Sequence, residues 1–398
     1  MDAYLVEWGN LLVRWLHVVA GIAWIGSSFY FIWLDNSLRS AKGGDAPGVA
    51  GEVWSVHGGG FYHARKFATA PSPLPEPLHW FKWEAYTTWL SGIALTALIY
   101  WHGAGVYLVD PAVMSLTSPV AVGIAIAFIV GGWVGYDLIC RSPLGNDERL
   151  LGAAVFVLVT VLAWGLCQVF GGRGAFIHFG AVLGTIMVAN VAMVIIPGQR
   201  RMVAALAAGE PVDPDDGRKG KQRSVHNTYF TLPVIFTMTS NHFAVVYSHE
   251  YNWLILVAIS LAGALVRAYF VARQSRLAGK WPLAAAAVLV VAVIVAIAPQ
   301  APATTGSTAA GIDEVRAVVL ARCTSCHADE PSHPAFAAAP AGVVLESESD
   351  ILANATRLHR QTVVLRAMPI GNLTGITEAE RAVVDRWYRD LDTVYRND

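Results

Sequence analysis

Gly174-Ala-Phe-Ile-His178-Phe-Gly-Ala-Val-Leu-Gly-Thr-Ile-Met-Val-Ala-Asn190-Val-Ala-Met-Val-Ile-Ile-Pro197 contains no Asp, Glu, Lys or Arg. A bilayer core about 30 Å thick takes roughly 20 apolar residues at 1.5 Å rise. In hydrocarbon a single segment satisfies its own N–H and C=O groups only by winding into a helix. The stretch therefore reads as a membrane-spanning helix, with Pro197-Gly198 as its stop signal. Working outward, the same pattern recurs at about 9–34, 82–102, 118–140, 150–170, 228–247, 251–272 and 281–299. Eight spans are expected, and the fold class is all-α.

Composition agrees. Of 398 residues, 55% are hydrophobic and 14% charged, against about 25% charged in soluble proteins. Mean hydropathy is +0.47. A net charge of −1 gives no basis for binding nucleic acid. The 14 tryptophans suit rings anchored at a membrane interface. The apolar runs end near residue 299. Three parts follow: a membrane domain over 1–299, a small Pro-containing linker over 300–311, and a soluble domain over 312–398.

The loops predict an orientation. Those after the first, third, fifth and seventh spans carry the cations: Arg39, Lys42, Arg65 and Lys66; Arg141 and Arg149; Arg200, Arg201, Arg218, Lys219, Lys221 and Arg223; Arg273, Arg276 and Lys280. The alternate loops are nearly free of them, Arg173 excepted. By the positive-inside rule the first set is cytoplasmic and both termini lie outside. Asp2 and Glu7 argue against a signal peptide, so the first span is expected to be retained.

The soluble part carries Cys323-Thr-Ser-Cys326-His327, the C-x-x-C-H attachment motif of c-type haem. Two thiols one helical turn apart reach the two vinyl groups, and the adjacent imidazole is placed for the iron. Met368 is the natural second axial ligand, since a Met/His pair suits electron transfer; His333 and His359 remain alternatives. Thr377-Glu-Ala-Glu380 reads as a capping box opening a final helix. The segment from about 312 to 397 resembles a class I cytochrome c domain. Cys140 and Cys167 lie in apolar runs and read as small buried hydrophobes.

Ionisable groups inside spans are costly and commonly functional. Near the outer face stand His17, His178 and His242, which could supply axial ligands to a non-covalent b-type haem. Near the inner face stand Lys82, Glu84, Asp137, His226, Asn227 and Arg267. Beside them lies a loop, Trp54-Ser-Val-His57-Gly-Gly-Gly-Phe-Tyr-His63-Ala-Arg-Lys66, whose glycines and aromatics would suit a flat, anionic heterocycle.

The stretch Arg14-Trp-Leu-His17-Val-Val-Ala-Gly21-Ile-Ala-Trp24-Ile-Gly26, the His57-to-His63 loop and the Cys-Thr-Ser-Cys-His layout together resemble bacterial membrane-bound urate oxidases (urate hydroxylases) fused to cytochrome c. The resemblance implies oxidation of urate to 5-hydroxyisourate. Electrons would pass through a single covalent haem c to a soluble or membrane cytochrome or a terminal oxidase. The location implied is the bacterial inner membrane, in contact with lipid, with the N-terminus and cytochrome domain periplasmic. On that basis His57 and His63 are expected to handle protons, and Lys66 or Arg267 to hold the anion. Two other functions fit the residues: an electron-relay subunit serving a partner, or a haem oxidase of another donor such as a quinol or protoporphyrinogen.

Overall fold

A computed structural model describes residues 2–40, 48–67, 74–272, 279–298 and 310–395. These are almost wholly helical, with one two-stranded hairpin. The helices of the first part are α1 (Asp2–Ser37), α2 (Trp83–Thr96), α3 (Ser118–Arg141), α4 (Glu148–Val169), α5 (Gly172–Ala189), α6 (Pro214–Ser240), α7 (Asn252–Ala272) and α8 (Trp281–Ala296). α5 is the central element and touches α2, α3, α4 and α6; α1 lies along α2, and α7 joins α6 to α8. The core contains Leu151, Leu166, Phe170, Phe176, Phe179 and Ile186.

The outside of this bundle is apolar and much of its inside is polar. Leu12, Trp15, Val19 and Ile22 of α1 and Val288 and Ile294 of α8 are exposed. Asn190, Thr228, Thr231, Thr237 and Arg223 are buried. In water this would be inverted; around hydrocarbon it is the economical arrangement. Among the described residues, five helices are long and apolar enough to cross a membrane: Tyr4–Ser37, Ser118–Arg141, Glu148–Val169, Gly172–Ala208 and Asn252–Ala272. The other three expected spans are helices of a different kind. α2 has 14 residues before a π turn, Ala97–Trp101. α6 opens with a charged half. α8 has only 16 residues.

Two expectations need correction. Pro197 does not stop the helix: α5 continues through a π turn, Asn190–Ile195, into Ile196–Ala208. The wider turn absorbs a residue that lacks an N–H and crowds the preceding turn. The true stop is Gly209, at φ 71°, where a left-handed residue ends the helix without a Cβ penalty. The loop of residues 54–66 is likewise a regular element. Strands β1 (Val49–His57) and β2 (Gly60–Phe67) pair antiparallel. Gly58 and Gly59 form the turn between them at φ 56° and 80°, both positive as a two-residue hairpin turn demands.

The C-terminal part is a separate small helical unit. Helix α9 (Ile312–Arg322) packs against α10 (Glu378–Tyr395), with two short helices, Glu348–Ala353 and Ala355–His359, between them in sequence. Its core contains Val315, Val319, Ile351, Leu358, Val384 and Trp387. The expected capping box is formed: Glu380 N donates to Thr377 Oγ1 at 3.2 Å, and Thr377 N donates to Glu380 Oε2 at 2.7 Å. That backbone bond, with Arg322 beside it, holds the Glu380 carboxyl below the usual range. Of the expected linker, 300–309 lies outside the described residues, as do Lys42, Arg273 and Arg276.

Helix contact in the bundle depends on small residues. A Cβ at Gly132 would lie 2.5 Å from Val182 Cγ1, across the α3–α5 contact, whereas one at Gly131 meets nothing within 4 Å. Gly132→Val should therefore cost about 1–3 kcal/mol through overpacking and lower the thermal midpoint of the detergent-solubilised protein. Gly131→Ala should leave it no lower.

Candidate functional site

The C-x-x-C-H residues follow directly on α9. Backbone N–H groups of Cys326 and His327 donate to the Cys323 carbonyl at 3.1 and 2.9 Å, so the chain makes one further turn and brings both thiols and the imidazole to one crevice. That crevice is a cavity of about 540 Å³, within the roughly 300–1,000 Å³ of cofactor sites. Cys323, Cys326, His327, Leu358 and Met368 are among its walls. His327 Nδ1 donates to the Val343 carbonyl at 2.8 Å. This fixes the tautomer and leaves the Nε2 lone pair for a metal, the arrangement that ligating histidines favour. Burial pushes the Cys323 thiol up to about 11.

The competing axial ligands are occupied elsewhere. His359 Nε2 bonds Asp385 Oδ1 at 2.8 Å, and its ring stacks on Tyr388 at 4.3 Å. His333 Nδ1 accepts from Ala335 N at 3.3 Å. Neither lines the crevice. The Met368 carbonyl is held by Arg381 Nη1 at 3.0 Å, and the same nitrogen donates to the Thr362 carbonyl. Two thiols, one imidazole of fixed tautomer and one thioether around a cavity of this size fit a covalently attached haem.

The three outer histidines have three separate surroundings. His17 Nδ1 meets the Thr88 carbonyl at 2.9 Å and Ser91 Oγ at 3.1 Å, and its ring fills the space a Cβ would need at Gly92. His178 is fully buried; its Nδ1 donates to the Gly174 carbonyl at 2.8 Å, and its Nε2 accepts from Trp101 Nε1 at 3.1 Å. Both nitrogens of His178 are therefore engaged. This arrangement does not fit a haem clasped between His17 and His178. His242 stands apart, lining a different cavity at the end of α6.

At the cation-rich end of the bundle, Asp137, His226 and Asn227 come together as members of a network that also includes the buried Tyr136, Asn190 and Arg223. Arg223, only 4% exposed, donates to Asp137 Oδ1 at 2.7 Å and Asn190 Oδ1 at 3.3 Å. Its guanidinium lies 4.9 Å from the Tyr136 ring centroid. Tyr136 Oη sits 2.7 Å from His226 Nδ1, and Asn190 Nδ2 donates both to Tyr136 Oη at 3.1 Å and to Asn227 Oδ1 at 2.9 Å. Sequence reasoning placed Arg223 in a loop; it is on α6, inside the bundle. Its clue was Asp137 in a facing span, since a buried carboxylate requires a cation. Lys82, Glu84 and Arg267 are not part of this network.

The four residues expected to act on substrate do not converge. His63 is bonded to Glu52 Oε2 at 2.8 Å and stacked on Trp54 at 4.2 Å. Lys66 pairs with Asp35 at 2.8 Å. His57 is exposed at the hairpin turn. Arg267 is buried on α7, 3.8 Å from the Phe29 ring centroid, and its Nε and Nη2 lack hydrogen-bond partners. None of the four lines the Cys323–His327 crevice or the cavity beside His242.

A family model described as urate oxidase N-terminal matches residues 3–298. The chain belongs to that family. Membership makes this chain an oxidoreductase related to urate oxidases, and the match covers the whole helical bundle. It stops before the C-terminal unit, whose reading rests on its own residues. No curated protein and no solved structure matches the chain.

The inner network of this family member sets a measurable cost. Asp137→Leu strands Arg223 as an unpaired buried cation, at about 3–5 kcal/mol. Thermal unfolding in detergent should show that loss. Adding Arg223→Met should recover part of it, because no buried charge is then left unpaired; Arg141, the other partner of Asp137 at 2.6 Å, is exposed.

Proposed function

We propose that the chain is a membrane urate oxidase that converts urate to 5-hydroxyisourate and sends the electrons out through its C-terminal unit, a c-type cytochrome. The observation that carries the reading is the His327–Val343 bond inside a crevice that also holds Cys323, Cys326 and Met368. A zinc or redox Cys-x-x-Cys has no use for that combination. In this reading Cys323 and Cys326 would hold the macrocycle, His327 and Met368 would supply ligands to its iron, and Arg381 fixes the segment that carries Met368. A haem so bound supplies one-electron transfer at a potential raised by Met/His ligation.

The reaction balances without oxygen as reactant. Urate monoanion and water give 5-hydroxyisourate, one proton and two electrons. A one-electron cytochrome or terminal oxidase outside the membrane would take the electrons in turn. The location proposed is the inner membrane of a bacterium, in contact with lipid, with the cytochrome unit on the periplasmic side. Two independent features support that side. The cation-rich loops call for the opposite end of the bundle to face outward, and Gly371 of the C-terminal unit packs against the Val106 and Val109 carbonyls beyond α2, at the cation-poor end.

Anaerobic addition of urate to the oxidised, purified protein should produce the absorption bands of reduced haem c as urate is consumed. Urate without effect, while dithionite reduces the haem, would remove urate as the donor. His327→Ala should abolish the Met/His haem signal, whereas His359→Ala should keep it. The reverse pattern would move the axial ligand to His359.

A further inference from the structure

A second cavity, of about 660 Å³, lies between the two units of the chain. One wall is the outer end of the bundle, with Tyr107, Asp110, Arg173, Asn241, His242 and Glu250; the other is the segment of the C-terminal unit around Met368. Gln361, Met368, Pro369 and Ile370 line both this cavity and the Cys323–His327 crevice. The two spaces therefore share a wall.

The chamber has the chemistry of an anion site for a flat ring. Gly171, Gly172 and Arg173 bring the N-terminal end of α5 to its wall, where the helix dipole favours negative charge; the Gly171 N–H itself donates to the Leu108 carbonyl at 3.1 Å. The Arg173 guanidinium lies over the Tyr107 ring at 5.4 Å, beside the phenols of Tyr100 and Tyr247. Its Nε is buried without a hydrogen-bond partner, as is Asn372 Oδ1 across the chamber. Among the described residues His242 has no side-chain hydrogen-bond partner, while Asn241 Oδ1 accepts from Tyr100 at 3.2 Å. Of the carboxylates, Asp110 is turned to its own loop, where its Oδ1 accepts from Ala112 N at 2.9 Å, and Glu250 is exposed at the rim.

We propose that this inter-unit cavity is the urate chamber: Arg173 and the α5 N-terminus hold the anion, His242 and Asn241 contact the ring edge, and the Gln361–Ile370 partition separates it from the haem crevice. The inference rests on the functional reading above and moves the substrate from the inner loop to the outer end. Urate monoanion plus water yields 5-hydroxyisourate, one proton and two electrons. The oxidant is a one-electron acceptor of the haem class that the crevice fits, which takes the two electrons in succession and is reoxidised by an outside cytochrome after each. With substrate beside the partition, no second cofactor is required to carry electrons across the bilayer.

The test is binding, measured apart from turnover. Full-length, haem-loaded protein is reduced beforehand so that it cannot consume urate, and urate binding is followed by equilibrium dialysis. Arg173→Gln should weaken binding at least tenfold and Arg173→Lys less, with the haem c spectrum and its reduction by ascorbate unchanged. His242→Gln should weaken binding in the same direction, and it carries the test if the Arg173 variants do not accumulate. Wild-type affinity in Arg173→Gln and His242→Gln, with the loss appearing instead in Arg267→Gln, overturns the chamber and leaves the oxidase reading intact. Wild-type protein that neither binds nor oxidises urate overturns both.

Discussion

A helix surrounded by hydrocarbon can offer its surroundings nothing polar, and the whole bundle follows from that. Polar side chains along the spans are driven to turn inward and find partners there, or to bond the carbonyls of their own helix. The result is a polar interior held by named pairs: Arg223 with Asp137, Asn190 with Asn227, His178 with Trp101. The apolar side chains that would form the core of a water-soluble protein cover the outside of α1 and α8 instead. The C-terminal unit obeys the opposite rule. Val315, Val319 and Trp387 are inside and most charged residues outside, Arg381 being buried where it holds backbone carbonyls, and the change of rule falls between 298 and 310.

The sequence made the helices legible because hydrophobic length is a strong signal. The motif around Cys323 was legible because its spacing is tied to one chemistry. Element ends were harder. Pro197 is a stop signal in most contexts, but the π turn before it supplies the slack that lets the helix run on to Gly209. Seeing that required the turn, and a π turn has no sequence signature. The hairpin at 49–67 was hidden for a different reason. Its strands carry glycine and charge, and Gly58-Gly59-Gly60 suggested a ligand loop when two of the three were needed for the turn.

The candidate site divides the same way. His327 and Met368 could be named from sequence because each follows from the attachment motif. Partners from distant helices could not be. Tyr136, Asn190 and Arg223 are 33 to 87 residues apart along the chain, and only the packing of α3, α5 and α6 unites them. The same packing gives His17 and His178 different hydrogen-bond partners, which comparable depth alone could not show. The inter-unit cavity was invisible for the strongest reason: it exists only where two domains of different character meet.

The partition at Gln361–Ile370 also has a thermodynamic side. A wall common to two cavities cannot move for one without moving for the other. Arg381 grips it through the Thr362 and Met368 carbonyls, so the segment shifts as a piece. Any occupant of one cavity that displaces the segment changes the energy of whatever it faces in the other. Linkage makes that exchange symmetric: the free energy by which an occupant alters the crevice is the free energy by which the state of the crevice alters the occupant. The shared wall thus gives the two halves of the molecule a built-in means of sensing each other's state.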